Sequence, residues 1–134
     1  MRYLLDTDIC IYLIKTKPPS VIQRLQEIAN EEVAISAVTL FELQYGVENS
    51  LRREQASKAL SHFVSSIQHI LPVDEPAARY AAKIRADLKR KGSPIGPYAV
   101  LIAAVALASN LILVSNSVRE FERVSDLSLE NWVQ

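Results

Sequence analysis

Short, continuously apolar runs alternate along this chain with longer stretches whose apolar residues recur every three or four positions. Tyr3-Leu4-Leu5 is the first such run and ends at Asp6. Thr7 or Asp8 is placed to cap a helix over 9–15, which Pro18-Pro19 then interrupts. Val21, Leu25 and Ile28 fall at i, i+4 and i+7, predicting an amphipathic helix that runs to about Asn30. Val33-Ala34-Ile35 is a second short strand, and Ser36 is a suitable cap for the helix that follows. That helix carries Leu40, Leu43 and Val47 on one side and Phe41 and Tyr45 on another, so burial around Glu42 is expected. A further helix over 51–66 spaces Ala56, Leu60, Phe63 and Ile67 for the core.

Ile70-Leu71-Pro72-Val73 predicts a third strand, at a sheet edge because proline cannot donate to a ladder. Asp74-Glu75-Pro76 starts a helix that stops near Lys91 at Gly92. After a loop over 93–97, residues 98–109 read as a helix apolar on nearly all sides, hence central. Leu111-Ile112-Leu113-Val114 is the clearest strand; a short helix near 118–122 and an extended segment near 127–129 complete the pattern. Strands that alternate with helices and are themselves continuously apolar predict a parallel sheet covered on both faces. The fold class is α/β, in a single domain spanning 1–134.

Composition narrows the possibilities. The 134 residues suit one domain, and 49% hydrophobic with 22% charged residues is an ordinary globular balance. Fifteen basic and fifteen acidic side chains cancel, so any nucleic-acid partner must be held by a local patch rather than by net charge. The lone Cys10 permits no intramolecular disulfide and sits in an apolar run, where a buried inert thiol is expected. The acid at position 6 interrupts any signal-peptide core, and the apolar window 100–114 is broken by Ser109-Asn110 and too short to span a bilayer. A cytoplasmic location is expected.

Ligands of open parallel sheets bind beyond the carboxyl ends of the strands. Asp6 and Asp8 fall there after the first strand, and Ser115, Asn116 and Glu120 after the strand ending at Val114. Glu42 lies about two turns into the helix after the second strand. Each has an ordinary structural explanation: Asp6 as a helix cap, Glu42 or Glu120 as part of a solvated face, Asn116 as a turn residue. Their convergence at one sheet end argues for more, because clustered carboxylates repel unless a cation neutralises them. Oxygen ligands without histidine or cysteine favour Mg²⁺ or Mn²⁺ over zinc. His62 and His69 lie away from the acids, and Gly46, Gly92 and Gly96 build no phosphate loop.

These residues carry a family resemblance. Leu4-Leu5-Asp6-Thr7-Asp8-Ile9 resembles the N-terminal signature of PIN domains, and the segment from Ser36 to Gly46 resembles their second motif, with Glu42 as its acid. Residues 95–104 resemble the third motif, residues 113–121 the fourth, and Leu129-Glu130-Asn131-Trp132 the ending of VapC-type toxins. The match covers essentially the whole chain. It implies a three-layer sandwich with a parallel sheet of four to five strands. It also implies an Mg²⁺- or Mn²⁺-dependent endoribonuclease that cleaves structured RNA such as tRNA. The partners implied are a cognate VapB-type antitoxin, operator DNA reached only through that antitoxin, and a second copy in a homodimer. Asp6 and Glu42 carry over as metal ligands, Asn116 and Glu120 as groups supporting the metal or its waters, and Thr7, Asp8 and Ser115 as supporting groups behind them.

One position departs from the pattern. The third motif normally has aspartate where this chain has Ala99. A methyl group can neither ligate a metal nor accept a hydrogen bond from its water, so an inactive or attenuated enzyme is expected, whether the change was introduced or arose naturally. A non-catalytic module binding RNA or an antitoxin is the competing reading. A haloacid-dehalogenase-type phosphatase would share Asp6-Thr7-Asp8 but needs an acidic pair after the late strand, where this chain has Ser115-Asn116. A response-regulator receiver lacks its late lysine here, and a flap-type nuclease needs more chain. The basic run ending in Lys89, Arg90 and Lys91 leads into the third-motif loop and is a candidate contact for RNA phosphates.

Overall fold

A computed structural model describes residues 1–133. Five strands form one parallel sheet in the order β3-β2-β1-β4-β5. They are β1 (Tyr3–Leu5), β2 (Val33–Ser36), β3 (His69–Leu71), β4 (Ile112–Val114) and β5 (Leu129–Glu130). The helices are α1 (Thr7–Lys15), α2 (Pro19–Gln26), α3 (Ala37–Glu48), α4 (Arg53–Ser65), α5 (Glu75–Arg90), α6 (Pro97–Ala108) and α7 (Val118–Phe121). The architecture is the expected three-layer α/β sandwich with a five-stranded parallel sheet.

The period of two along each strand divides the core in two. Leu4, Ala34 and Leu113 point into one cluster, where α5 and α6 contribute Leu88, Ile102, Ala103 and Val105. Tyr3, Leu5, Val33, Ile35 and Val114 point into the other, closed by Ile9, Cys10, Leu43, Leu60 and Phe63 from α1, α3 and α4. A strand covered on both faces has no solvent side, which is why these strands read as unbroken apolar runs. The helix expected to be central, α6, is buried over Val100 and Ile102–Ala106. Cys10 is fully buried, as its apolar run implied.

Several boundaries differ from the sequence reading. Asp6, rather than Thr7 or Asp8, caps α1, its side chain accepting from the Thr7 N–H. The second helix ends at Gln26, with a 3₁₀ turn over Asn30–Glu32 delivering the chain to β2. The edge strand begins at His69 and ends before Pro72, so the proline follows the ladder instead of sitting in it. Phe41 and Tyr45 are 51% and 61% exposed, which corrects the expectation that apolar side chains enclose Glu42. The apolar pattern of α3 marks two surfaces, and only that of Leu43 and Val47 meets the core.

The sheet order places its topological switch between β1 and β4: the chain builds β2 and β3 on one side, then returns to build β4 and β5 on the other. The crevice beyond their carboxyl ends is where such folds bind ligands. Asp6 leaves β1 there, its N–H still bonded to the Val114 carbonyl at 2.9 Å, and Ser115 leaves β4 beside it.

Candidate active site

The crevice opens as a depression of about 380 Å³ whose walls include Asp6, Asp8, Glu42, Ala99, Ser117 and Glu120. Five elements meet there. Asp6 and Asp8 come from the end of β1 and the first turn of α1, Glu42 from the middle of α3, and Ala99 from the first turn of α6. Glu120 comes from α7.

Asp6 is 7% exposed. One of its oxygens accepts the Thr7 N–H and the other the Ser115 hydroxyl, both at 2.8 Å. The Ser115 oxygen accepts the Ser117 N–H at 2.9 Å, and its hydroxyl lies closer to Asp6 than to Asp8, which is 3.5 Å away. Asp8 accepts from the backbone N–H of Ile9 at 2.7 Å and of Asn116 at 3.0 Å, with the Ser117 hydroxyl at 3.4 Å. Glu42 accepts the Thr7 hydroxyl at 2.6 Å. Glu120 accepts the Gly96 N–H at 3.2 Å and so ties α7 to the loop that leads into α6.

Among the described residues, no ion pair involves any of these four acids. Burial is what acts on the carboxyls of Asp6 and Asp8. Burial raises the Asp6 carboxyl from 3.8 to about 7; the Asp8 charge adds to this and Glu42 contributes less, against the lowering effect of Ser115 and Thr7. Burial likewise raises Asp8.

The donors present are carboxylate and hydroxyl oxygens, the chemistry of a hard divalent ion. Among the described residues, no three His, Cys, Asp or Glu side chains group closely enough to form a metal cage by themselves. Ala99 lines the same depression and contributes only a methyl group to it. Mg²⁺ commonly keeps several waters and needs only one or two carboxylates, a demand that the acids of this depression fit.

The structure brings together Asp6, Thr7, Asp8, Glu42, Ala99, Ser115 and Glu120 of the residues singled out by sequence. Asn116 is placed differently. Its side-chain amide donates to the Tyr12 hydroxyl at 3.2 Å and its oxygen accepts from Asn131 at 3.1 Å, so only its backbone N–H serves the cluster, through Asp8. Lys89, Arg90 and Lys91 are exposed at the end of α5 and none lines the depression. Ser117 and Thr39 were missed. Thr39 lies one helical turn before Glu42, a spacing that marks it, whereas Ser117, in the loop before α7, carries no such signal.

A PIN-domain family model matches residues 3–127. The tRNA(fMet)-specific endonuclease VapC of Shigella flexneri is 44% identical over 132 residues, 98% of each chain. Ribonuclease VapC2 of Rickettsia felis is 41% identical over 133 residues, again 98% of each. The crystal structure of VapBC2 from Rickettsia felis bound to a DNA fragment from their promoter superposes with a TM-score of 0.91 at 39% identity, covering 98% of this chain and 99% of that one. DNA-bound VapBC from Salmonella typhimurium gives 0.92 at 39% identity and 98% coverage of each. The chain belongs to the PIN-domain family, within its VapC ribonuclease group.

Proposed function

We propose that this chain is a metal-dependent endoribonuclease toxin of the VapC type, attenuated at one ligand position by Ala99. The observation that carries the reading is the single depression at the β1/β4 switch point, lined by Asp6, Asp8, Glu42 and Glu120 with Ala99 among them. Asp6 and Glu42 are the residues that would hold Mg²⁺ or Mn²⁺, with Asp8 beside them. When bound, such an ion activates water and stabilises charge on a phosphodiester in transit.

The chain's own groups prepare that site. Ser115 and the Thr7 N–H hold the two Asp6 oxygens, Thr7 holds Glu42, and Asn116 fixes Asp8 through its backbone. Glu120 holds the Gly96 loop and hence the start of α6, where Ala99 sits. Tyr98 lies on the rim with Phe41 packed edge-on at 5.3 Å, an exposed aromatic pair of the kind on which unpaired RNA bases stack.

Structured RNA is the proposed substrate and tRNA the first to test, following the tRNA-specific activity in the names of relatives. A VapB-type antitoxin is the proposed partner, with operator DNA reached through it, since the two neighbouring structures from Rickettsia felis and Salmonella typhimurium are VapBC complexes with DNA. Homodimerisation and a cytoplasmic location complete the proposal; no helix among the described residues is long and apolar enough to cross a membrane. Ala99 also favours a second reading, a PIN module that binds RNA or antitoxin without cutting.

The test compares this chain with its Ala99→Asp variant on a tRNA pool, with Mg²⁺ or Mn²⁺ and with EDTA. The proposal expects cleavage at least about 100-fold faster in the aspartate form, the scale of a lost electrostatic catalytic group, and none with EDTA. Silence from both, with RNA still bound, favours the binding module. Equal cleavage by both overturns attenuation at position 99.

A further inference from the structure

We infer that Thr39 is a positioning residue for Glu42, acting through the Thr7 hydroxyl. The inference rests on the reading of Glu42 as a metal ligand and extends it to a residue buried behind the site.

The direction of the hydrogen bonds follows from proton counting. An ionised carboxylate only accepts. The Thr7 hydroxyl, 2.6 Å from Glu42 Oε1, must therefore donate to it, and that uses the one hydrogen Thr7 Oγ1 has. Thr39 Oγ1 lies 3.1 Å from the same oxygen and can only be the donor to it. The result is a relay from Thr39 to Thr7 to Glu42 that joins α3 to α1 and returns to α3, across 32 and 35 positions of sequence.

Burial makes the relay more than incidental. Thr39 is 0% exposed, in a position where valine would fill the same volume with no hydroxyl to desolvate. Helical threonines commonly turn their hydroxyl back to the preceding turn of their own helix, whereas this one is directed to a different helix. Glu42, by contrast, is only half-buried and its apolar neighbours Phe41 and Tyr45 face solvent, so packing does little to choose its rotamer. The Thr7 bond makes that choice, and Thr39 fixes the Thr7 rotamer that permits it.

The experiment uses the whole chain with ¹³C-labelled Thr and Glu, at mildly alkaline pH in EDTA. Scalar couplings report the Thr7 rotamer, and the Glu42 carboxyl resonance reports its hydrogen bond. Thr39→Val is expected to average the Thr7 couplings and displace the Glu42 carboxyl signal; Thr39→Ser, which keeps the hydroxyl, is expected to leave both near wild type. Thr7→Val, at a half-exposed position, is expected to displace the same carboxyl signal and serves should Thr39→Val fail to fold. Mn²⁺ affinity, followed by paramagnetic resonance in this chain and in its Ala99→Asp form, is expected to fall about tenfold in Thr39→Val, the lower end of what outer-shell partners contribute. That loss is expected to vanish in a Glu42→Gln background. Unchanged couplings and carboxyl signal in Thr39→Val, or Thr39→Ser behaving like it, would overturn the relay. A Glu42→Gln variant that binds Mn²⁺ as well as its parent would instead overturn the metal reading, and the couplings would still decide the relay.

Discussion

Ser115 donates its hydroxyl to Asp6 at 2.8 Å, joining the ends of two neighbouring parallel strands across 109 positions of sequence. Both groups are buried, and the bond favours the charged form of a carboxyl that burial and Asp8 otherwise push toward neutrality. Replacing Ser115 by alanine leaves the Ser117 N–H without its acceptor and Asp6 with one donor fewer. Ser115→Ala is expected to raise the Asp6 pKa further and to lower stability by about 1–3 kcal/mol, the cost of unpaired buried polar groups. Urea denaturation at neutral pH checks the second, and carboxyl-resolved NMR titration the first.

Stability without metal should depend on pH through Asp6. Its carboxyl stays near 3.8 in the unfolded chain and rises to about 7 in the folded one. Between those values the folded chain keeps a proton that the unfolded chain releases. The stabilisation is complete below the unfolded value and is lost as pH rises through about 7, by at most about 1.4 kcal/mol per pH unit. Burial pushes Asp8 in the same direction. Urea midpoints measured in EDTA across this range should fall with pH in the wild type and flatten in Asp6→Asn. Parallel profiles for the two proteins would contradict the assignment.

Repulsion among the acids sets a cost on placing a carboxylate at position 99. A carboxylate there would join Asp6, Asp8, Glu42 and Glu120 around one depression with no ion pair among the described residues to offset it. Ala99→Asp should therefore melt lower than this chain in EDTA and recover with millimolar Mg²⁺ or Mn²⁺, because a ligand bound only by the folded state stabilises it. Thermal melts with and without metal decide this. A variant that melts higher in EDTA and ignores metal would count against shared occupancy of the depression.

Much of this arrangement was legible in the sequence because its determinants are local. Unbroken apolar runs marked the buried parallel strands, Ser36 and Asp74 marked two helix starts by capping, and the switch-point rule put Asp6 and Ser115 together. What escaped notice depends on which way side chains point. Asn116 sits beside Ser115 in the chain, yet its amide turns to Tyr12 and Asn131, which approach only in the folded structure. Phe41 and Tyr45 follow an apolar rhythm indistinguishable from a core stripe, but α3 lies where that face meets solvent. Thr39 looked like one more helix residue until α1 packed against it.

The basic run at the end of α5 is divided by its geometry, and the division is testable. Lys89 lines an apolar groove of about 620 Å³ with Arg85, Pro94, Ile95 and Pro97. Pro97 also lines the acidic depression, so this groove adjoins the site. Arg90 lines a different cavity, with Asp126, and Lys91 is paired with Asp87 at 3.0 Å. An RNA strand leaving the site along the groove would meet Arg85 and Lys89, while Arg90 lies off that groove and Lys91 is already paired with an acid. Each lost phosphate contact on a single strand lowers the salt slope of binding by about 0.7. Lys89→Gln and Arg85→Gln should each reduce the slope by roughly that amount, and Lys91→Gln should change it little. Filter binding of a tRNA pool in EDTA over a salt series measures these three together with Arg90→Gln. Equal losses at Lys89, Arg90 and Lys91 would mean that the whole helix end meets RNA as one patch, and no loss at Lys89 would remove the groove from the RNA path.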